Sequence, residues 1–127
     1  MFNFFSYPEN GSHRIYYEDG TVAEKSNYKN GKLEGDYEWY YTTGQLHHKG
    51  KFSKGKFEGV HKWYHPDGQL HIKGNFKNGK EEGIHEWFDM EGKLSKKETY
   101  KNGKKILRNS SFHHLRCLLY FLYYTSF

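Results

Sequence analysis

The spacing of the glycines constrains the fold of this chain more than any other feature of its sequence. All 14 glycines fall into four columns with a 24-residue period. Two of these columns carry the turn signals: Gly20, Gly44, Gly68 and Gly92, and Gly31, Gly55, Gly79 and Gly103. Trp39, Trp63 and Trp87, the three tryptophans, share the same period. A fixed period of roughly 20–50 residues is typical of stacked supersecondary units, so the sequence predicts a tandem array.

Each repeat contains two turn signals. The first is an Asn-Gly pair, or Lys54-Gly55 in one repeat, and Asn-Gly favours a type I′ turn because both central residues need positive φ. The second follows half a repeat later, as in His65-Pro66-Asp67-Gly68. Two turns in 24 residues leave strands of about seven residues. We therefore predict an all-β fold, an elongated single-layer antiparallel meander of hairpins, with about eight strands between residues 12 and 106.

The two-residue turn also predicts a register and two distinct faces. If Ser53 pairs with Lys56, the register places the following pairs opposite each other: Phe52 and Phe57, Gly50 and Gly59, His48 and His61, Leu46 and Trp63, and in the next repeat Gly74 and Gly83, and Leu70 and Trp87. Alternation then gives one face of aromatic residues and glycine. The other face is charged and solvated, with His47, Lys49, Lys51, Glu58 and Lys62, Lys51 opposite Glu58 and Lys25 opposite Asp36. Paired glycines predict a trough beside each tryptophan.

The repeat resembles a known family at this point. It reads G-x-L-x-x-x-G-x-F-x-N-G-K-x-E-G-x-x-x-W-Y, as in Gly68 to Trp87, and is similar to the variant form of the MORN repeat over about residues 11 to 106. The resemblance implies an elongated β-meander that acts as an interaction or scaffolding module. Some family members have been proposed to bind phospholipids, and bacterial variant arrays are often classed as antitoxins of toxin–antitoxin pairs.

The aromatic–glycine face is the predicted partner-binding site, because large aromatic residues beside open space are suitable anchors for a protein partner. The residues of this predicted site are Tyr28, Trp39, Phe52, Trp63, Phe76 and Trp87. The alternative is that each tryptophan serves only as the core of a thin sheet. The expected partner is a protein, with a toxin as one form of it.

The array is incomplete at both ends, where Tyr7 and Leu107 occupy positions that the period assigns to glycine. We therefore divide the chain into a partial repeat or arm (1–10), the array (11–106) and an apolar tail (107–127). The spacing of Phe112, Leu115, Leu119 and Leu122 in the tail predicts a short C-terminal helix. Three interpretations of the tail stay open: a cap on the sheet, an amphipathic segment that meets a membrane or partner, and a poorly ordered end.

The net charge of +5 leaves weak binding to anionic phospholipid as the alternative function, through surface lysines and the tail. Nucleic acid is disfavoured because lysines and aromatic residues are predicted on opposite faces, with acids among the lysines. Cys117, the single cysteine, cannot form an internal disulfide and fits a reducing, cytoplasmic location. The first residues contain neither the basic nor the apolar region of a signal peptide, so we expect none.

We expect that the chain is not an enzyme and that it has no cofactor or metal site. The glycines follow turn spacing and form no phosphate-binding loop. Equivalent histidines in successive hairpins lie two strands apart, about 9–10 Å, which is too far for one zinc ion to bridge. His48 and His61 form the one predicted pair, and two ligands do not make a site. The histidines are instead expected to serve as half-polar rings on the aromatic face.

Overall fold

A computed structural model describes residues 7–107. Within this range all regular structure is β-strand. The strands are β1 (Gly11–Tyr16), β2 (Val22–Lys29), β3 (Lys32–Leu33), β4 (Gly35–Tyr40), β5 (Leu46–Ser53), β6 (Lys56–Tyr64), β7 (Leu70–Lys77), β8 (Lys80–Glu81), β9 (Gly83–Phe88), β10 (Leu94–Lys101) and β11 (Lys104–Lys105). Eight of them have six or more residues, and the other three have two.

The strands form one open antiparallel sheet in which neighbours in sequence are neighbours in space. The order is β1-β2-β4-β5-β6-β7-β9-β10-β11, with β3 paired to β2 and β8 paired to β7. The predicted fold class, an all-β antiparallel meander of 24-residue hairpin repeats, is confirmed. The predicted C-terminal helix lies outside the described residues. Within residues 7–107 no helix is long and apolar enough to span a bilayer.

The Asn-Gly turns adopt the backbone that their sequence requires. Asn30, Asn78 and Asn102 have φ near +50°, and each is followed by a glycine at positive φ. Lys54 takes the same position with φ +50°. This left-handed region costs an ordinary residue roughly 1–2 kcal/mol, whereas asparagine adopts it more readily. The turn at Lys54-Gly55 is therefore strained relative to its three Asn-Gly counterparts.

Replacing Lys54 by asparagine should relieve this strain. We expect Lys54→Asn to raise the free energy of unfolding by about 0.5–1 kcal/mol, measured by urea denaturation. The backbone N–H of Lys54 donates a hydrogen bond to the Glu34 carboxylate (2.7 Å), and the substitution keeps that donor. Lys29→Asn, at a strand position in the preceding repeat, is the control and should not stabilise. Equal effects of the two variants would contradict the explanation.

The predicted register is correct next to the turns and wrong beyond them. Ser53 pairs with Lys56, Phe52 with Phe57 and Lys51 with Glu58. The next pairs are Lys49 with Lys62 and His48 with Trp63, so the predicted pairs of Gly50 with Gly59, His48 with His61 and Leu46 with Trp63 do not form. In the following repeat Ile72, not Leu70, lies opposite Trp87. In the same way Lys25 lies opposite Glu38 and not opposite Asp36.

A β-bulge in each of three hairpins, those that follow the turns at Gly31, Gly55 and Gly79, causes this shift. Between the pairs Lys51–Glu58 and Lys49–Lys62, the single residue Gly50 of β5 opposes three residues of β6, residues 59–61. The bulge begins at Gly59, whose φ of +74° a residue with a side chain would rarely adopt. Gly35 and Gly83, at the equivalent places, also have positive φ (+87° and +76°). The bulges also separate the short strands β3 and β8 from β4 and β9.

A recurring glutamate links each repeat to the next at the Asn-Gly edge of the sheet. The carboxylate of Glu58 accepts a hydrogen bond from the backbone N–H of Asn78 (3.1 Å), and Glu82 does the same for Asn102 (3.0 Å). In the same way, the carboxylate of Glu34 accepts a hydrogen bond from the backbone N–H of Lys54. The glutamate that precedes the bulge glycine therefore stabilises a turn 20 residues further along the chain, which gives a physical reason for the N-G-K-x-E-G motif.

A second set of bonds links the repeats at the opposite edge. The Tyr41 hydroxyl donates to the Tyr64 carbonyl (2.8 Å), and the His65 Nε2–H donates to the Phe88 carbonyl (3.1 Å). The Tyr17 hydroxyl binds the Tyr40 carbonyl in the same way. Each donor acts on the residue 23 positions later, so both edges of the sheet are held by contacts between adjacent repeats.

Candidate interaction surface

A cluster of five rings occupies the centre of one face of the sheet. It consists of Phe52, Phe57, His61, Trp63 and Phe76, which we call the aromatic cluster. Phe57 stacks on His61 with ring centroids 4.1 Å apart, and Phe76 meets Phe57 edge-on at 5.1 Å. Such edge and offset contacts each add roughly 0.5–1.5 kcal/mol beyond burial. The cluster takes the place of an aliphatic core, since Ala23 is the one buried apolar residue in residues 7–107.

The glycine trough predicted beside each tryptophan does not exist, because a histidine ring fills it. A Cβ atom added to Gly50 would lie 2.2 Å from Nδ1 of His61, and one added to Gly74 would lie 2.5 Å from the His85 ring. The bulge brings His61 opposite Gly50, and His61 has no exposed surface. These two glycines are therefore needed to seat a ring from the next strand.

Hydrogen bonds hold His61 in one tautomer. Its Nε2–H donates to the Lys51 carbonyl (2.8 Å), so Nδ1 of the neutral ring carries no hydrogen and accepts. The acceptor faces Nε2 of His48 at 2.9 Å, and His48 is therefore the donor of that bond. The two histidines are in contact as rings although they are not opposite each other in the register. Trp63 stacks on His48 with ring centroids 4.5 Å apart and planes 3° from parallel.

Burial keeps this pair neutral. It lowers the pKa of His48 to about 4, and the neighbouring His61 and His47 add to the shift. Burial also lowers the pKa of His61, against the effect of the Lys51 carbonyl. Two buried imidazoles that share a hydrogen bond hold each other in position. No group of three or more His, Cys, Asp or Glu side chains in residues 7–107 is arranged to bind a metal.

The structure brings together part of the predicted binding site. Phe52, Trp63 and Phe76 belong to the aromatic cluster, and Trp87 approaches it through His85, at 6.2 Å from that ring. Tyr28 lies elsewhere, in contact with Tyr7 and His13.

Trp39 also lies apart from the aromatic cluster. Its ring meets His47 edge-on at 4.4 Å, and 42% of the residue is exposed. His47 was predicted on the charged face, and it reaches the Trp39 and Tyr41 rings because it is the extra residue of a second bulge, at Trp39/Tyr40.

The histidines are the members of this surface whose position the sequence did not predict. His48, His61 and His85 have the role expected of them, as half-polar rings on the aromatic face, but the sequence did not predict that His61 packs on Gly50 and His85 on Gly74. A signal was present: Gly50 and Gly74 each precede a histidine by 11 residues, whereas the equivalent residue in the first repeat, Ser26, precedes Tyr37.

The opposite face of the sheet carries a row of charged residues that runs across the strands. Register places Glu38 beside Lys49, Lys49 beside Lys62, Lys62 beside Lys73, and Lys73 beside Glu86. Glu38 forms an ion pair with Lys25 (3.7 Å) and Glu86 with Lys97 (3.8 Å). The three central lysines, which we call the lysine row, make no ion pair within residues 7–107.

An extended single-layer sheet with a ring-covered face and a charged face defines a class of protein, the repeat-based binding module. The MORN repeat variant model matches residues 9–30, 33–54, 57–78 and 81–102, and the chain belongs to this family. Its repeats indicate an interaction or membrane-binding module, and proteins of this kind are generally non-enzymatic. No curated protein matches the chain.

Proposed function

We propose that this chain is a protein-interaction module that binds an apolar segment of a partner protein on its aromatic face. The observation that carries the proposal is that nothing within residues 7–107 covers this face. Trp63, Phe76 and Trp87 are only half-buried, although each is a large apolar side chain within a β-strand. A contiguous apolar surface of this kind on a soluble protein commonly marks an interaction site.

The tryptophans of this face differ in what they contribute to folding. Trp63 contacts His48, Phe57, His61 and Phe76, so its removal disrupts the aromatic cluster. Trp39 contacts His47 alone among the rings and is 42% exposed. Trp39 is therefore the tryptophan that can be replaced without disrupting the fold, so its effect on partner binding can be measured in a folded protein.

We expect Trp39→Ala to weaken partner binding by about tenfold or more, as for an aromatic anchor at an interface, with a melting temperature close to that of the wild type. The measurement is a tagged pull-down from the source cells with quantitative mass spectrometry, followed by titration of the recovered protein. Tyr16→Ala, which also removes an exposed ring (55% exposed), is the matched control. Equal retention of the partner by the wild type and Trp39→Ala would contradict the proposal.

The antitoxin role is the specific case in which the protein partner is a toxin. It is supported by the resemblance to bacterial variant arrays that are classed as antitoxins. In that case the recovered partner is toxic when it is expressed alone, and co-expression of this chain restores growth. Co-expression of Trp39→Ala should restore growth less well, whereas a harmless partner would remove the antitoxin hypothesis and leave the interaction module.

Peripheral binding to an anionic membrane is the second candidate function, and the lysine row is the observation that favours it. Each basic residue near such a surface contributes roughly 1 kcal/mol. The same face also carries Asp36, Glu38 and Glu86, which would approach the membrane together with the lysines. We therefore place this function behind protein binding. Salt-sensitive sedimentation with phosphatidylserine vesicles, lost when residues 107–127 are deleted, would reverse that order.

A further inference from the structure

We infer that the charged face holds a second binding site, separate from the aromatic face, for an acidic peptide segment that contains one apolar side chain. The site is centred on the lysine row, Lys49, Lys62 and Lys73. It does not depend on the function proposed for the aromatic face, because the two sites share no side chain.

The lysine row places three positive charges side by side without an internal counter-charge. Neighbouring strands are about 4.8 Å apart, and like charges directly opposite each other on adjacent strands are destabilising. The acids at the two ends of the row, Glu38 and Glu86, are already paired with Lys25 and Lys97. The three lysines of the row therefore have no carboxylate of this sheet paired with them. They lie on three adjacent strands, so the backbones of the two outer lysines are about 10 Å apart.

The surface beside the lysine row is concave and partly apolar. Lys49, Lys62 and Lys73 line a shallow depression of about 540 Å³ together with Val60, Lys51 and two acids that are already paired with lysines, Asp36 and Glu38. Val60 projects from the charged face and is 48% exposed. The nearby Lys51 is paired with Asp36 at 3.9 Å, so the uncompensated charge of the depression comes from the lysine row.

The shape and the mixed chemistry favour a peptide over other anions. Glu38 lines one end of the depression, and Glu86 lies beside Lys73 at the other end of the row. A bilayer or a long nucleic acid would cover both carboxylates, whereas a short segment can lie over the lysines between them. An inorganic anion would leave Val60 without a partner. A segment with acidic residues on both sides of one leucine or isoleucine matches both the unpaired lysines and the exposed valine. Its carboxylates would lie on the lysines and its apolar side chain on Val60.

The test uses the full chain and a fluorescein-labelled peptide in which two glutamates flank a central leucine on each side. Fluorescence anisotropy should show binding that weakens as salt is added, since the charges are exposed. The triple variant Lys49→Gln, Lys62→Gln and Lys73→Gln should bind about tenfold more weakly, on the scale of three exposed ion pairs. It should fold at least as well as the wild type, because it removes like-charge repulsion.

Two controls separate this site from general electrostatic attraction. The first is the triple variant Lys29→Gln, Lys80→Gln and Lys93→Gln, which has the same net charge as the row variant and alters exposed lysines that make no ion pair within the described chain. It should retain wild-type binding within about twofold. The second is Val60→Thr, which should remove the preference for the leucine-centred peptide over a glycine-centred one and leave the binding of the latter unchanged.

Three results would overturn the inference. One is equal loss of binding in the two lysine variants, which would indicate net charge alone. Another is a leucine-centred peptide that binds no better than the glycine-centred one. The third is displacement of the peptide by phosphatidylserine vesicles together with no effect of Val60→Thr, which would assign the lysine row to a membrane surface.

Discussion

Gly50→Ala should destabilise the protein by about 3 kcal/mol, at the upper end of the cost of overpacking. The added methyl carbon would lie 2.2 Å from Nδ1 and 2.5 Å from Cγ of His61, so the whole ring has to leave its seat. The displaced ring loses its bonds to the Lys51 carbonyl and to His48. Urea denaturation followed by tryptophan fluorescence measures the loss of stability.

The backbone does not account for this effect. Gly50 lies outside the positive-φ region, and at such a position the replacement of glycine by alanine alone is expected to stabilise by about 0.4–1 kcal/mol. The double variant Gly50→Ala with His61→Ala supplies the control, because the alanine at residue 61 leaves room for the methyl group. Adding Gly50→Ala to His61→Ala should therefore cost less than about 1 kcal/mol. Additive costs would show that the histidine seat is not the cause.

Acid should weaken the fold between pH 6.5 and about 4, before most carboxylates titrate. The pKa of His48 falls from its ordinary value of 6.5 to about 4 in the folded chain, so the unfolded chain binds more protons in this window. His48 contributes its full stability above pH 6.5 and loses it as the pH falls towards 4. The loss is at most about 3 kcal/mol. His47, His61 and His71, whose pKa values burial also lowers, act in the same direction.

The contribution of His48 can be isolated by His48→Gln, which keeps an N–H donor for Nδ1 of His61 and does not titrate. The free energy of unfolding of this variant, measured by urea denaturation from pH 7 to pH 4, should fall less steeply than that of the wild type. Thr42→Gln, which alters an exposed turn residue without a titratable group, is the control and should follow the wild-type curve. Identical slopes for His48→Gln and the wild type would contradict the assignment.

The turns were predictable because their chemistry is local. An Asn-Gly pair has few alternatives to positive φ at both residues, and Asn30, Asn78 and Asn102 adopt it. The antiparallel meander follows from two such turns in each repeat. The pairs nearest each turn, such as Phe52 with Phe57, are set by the same local geometry and were predicted correctly.

The composition of the aromatic face was predictable in part. Phe52, Trp63 and Phe76 were assigned to one surface by their period, and all three are members of the aromatic cluster. His61 was predicted to be a ring of that face, but it was placed opposite His48 because the predicted register was wrong. The lysine row could not be predicted from the sequence either, because the shifted register is what places Lys49, Lys62 and Lys73 beside one another.

The sequence by itself determined the period, the turns, the hairpins and the separation into an aromatic and a charged face, because each depends on residues close together in the chain. Only the tertiary structure decided the bulge at Gly59 and what it places across the strands. A glycine in a strand allows either a paired glycine or a bulge. The choice depends on contacts between strands and between repeats: His61 on the Lys51 carbonyl, and Glu58 on the turn at Asn78.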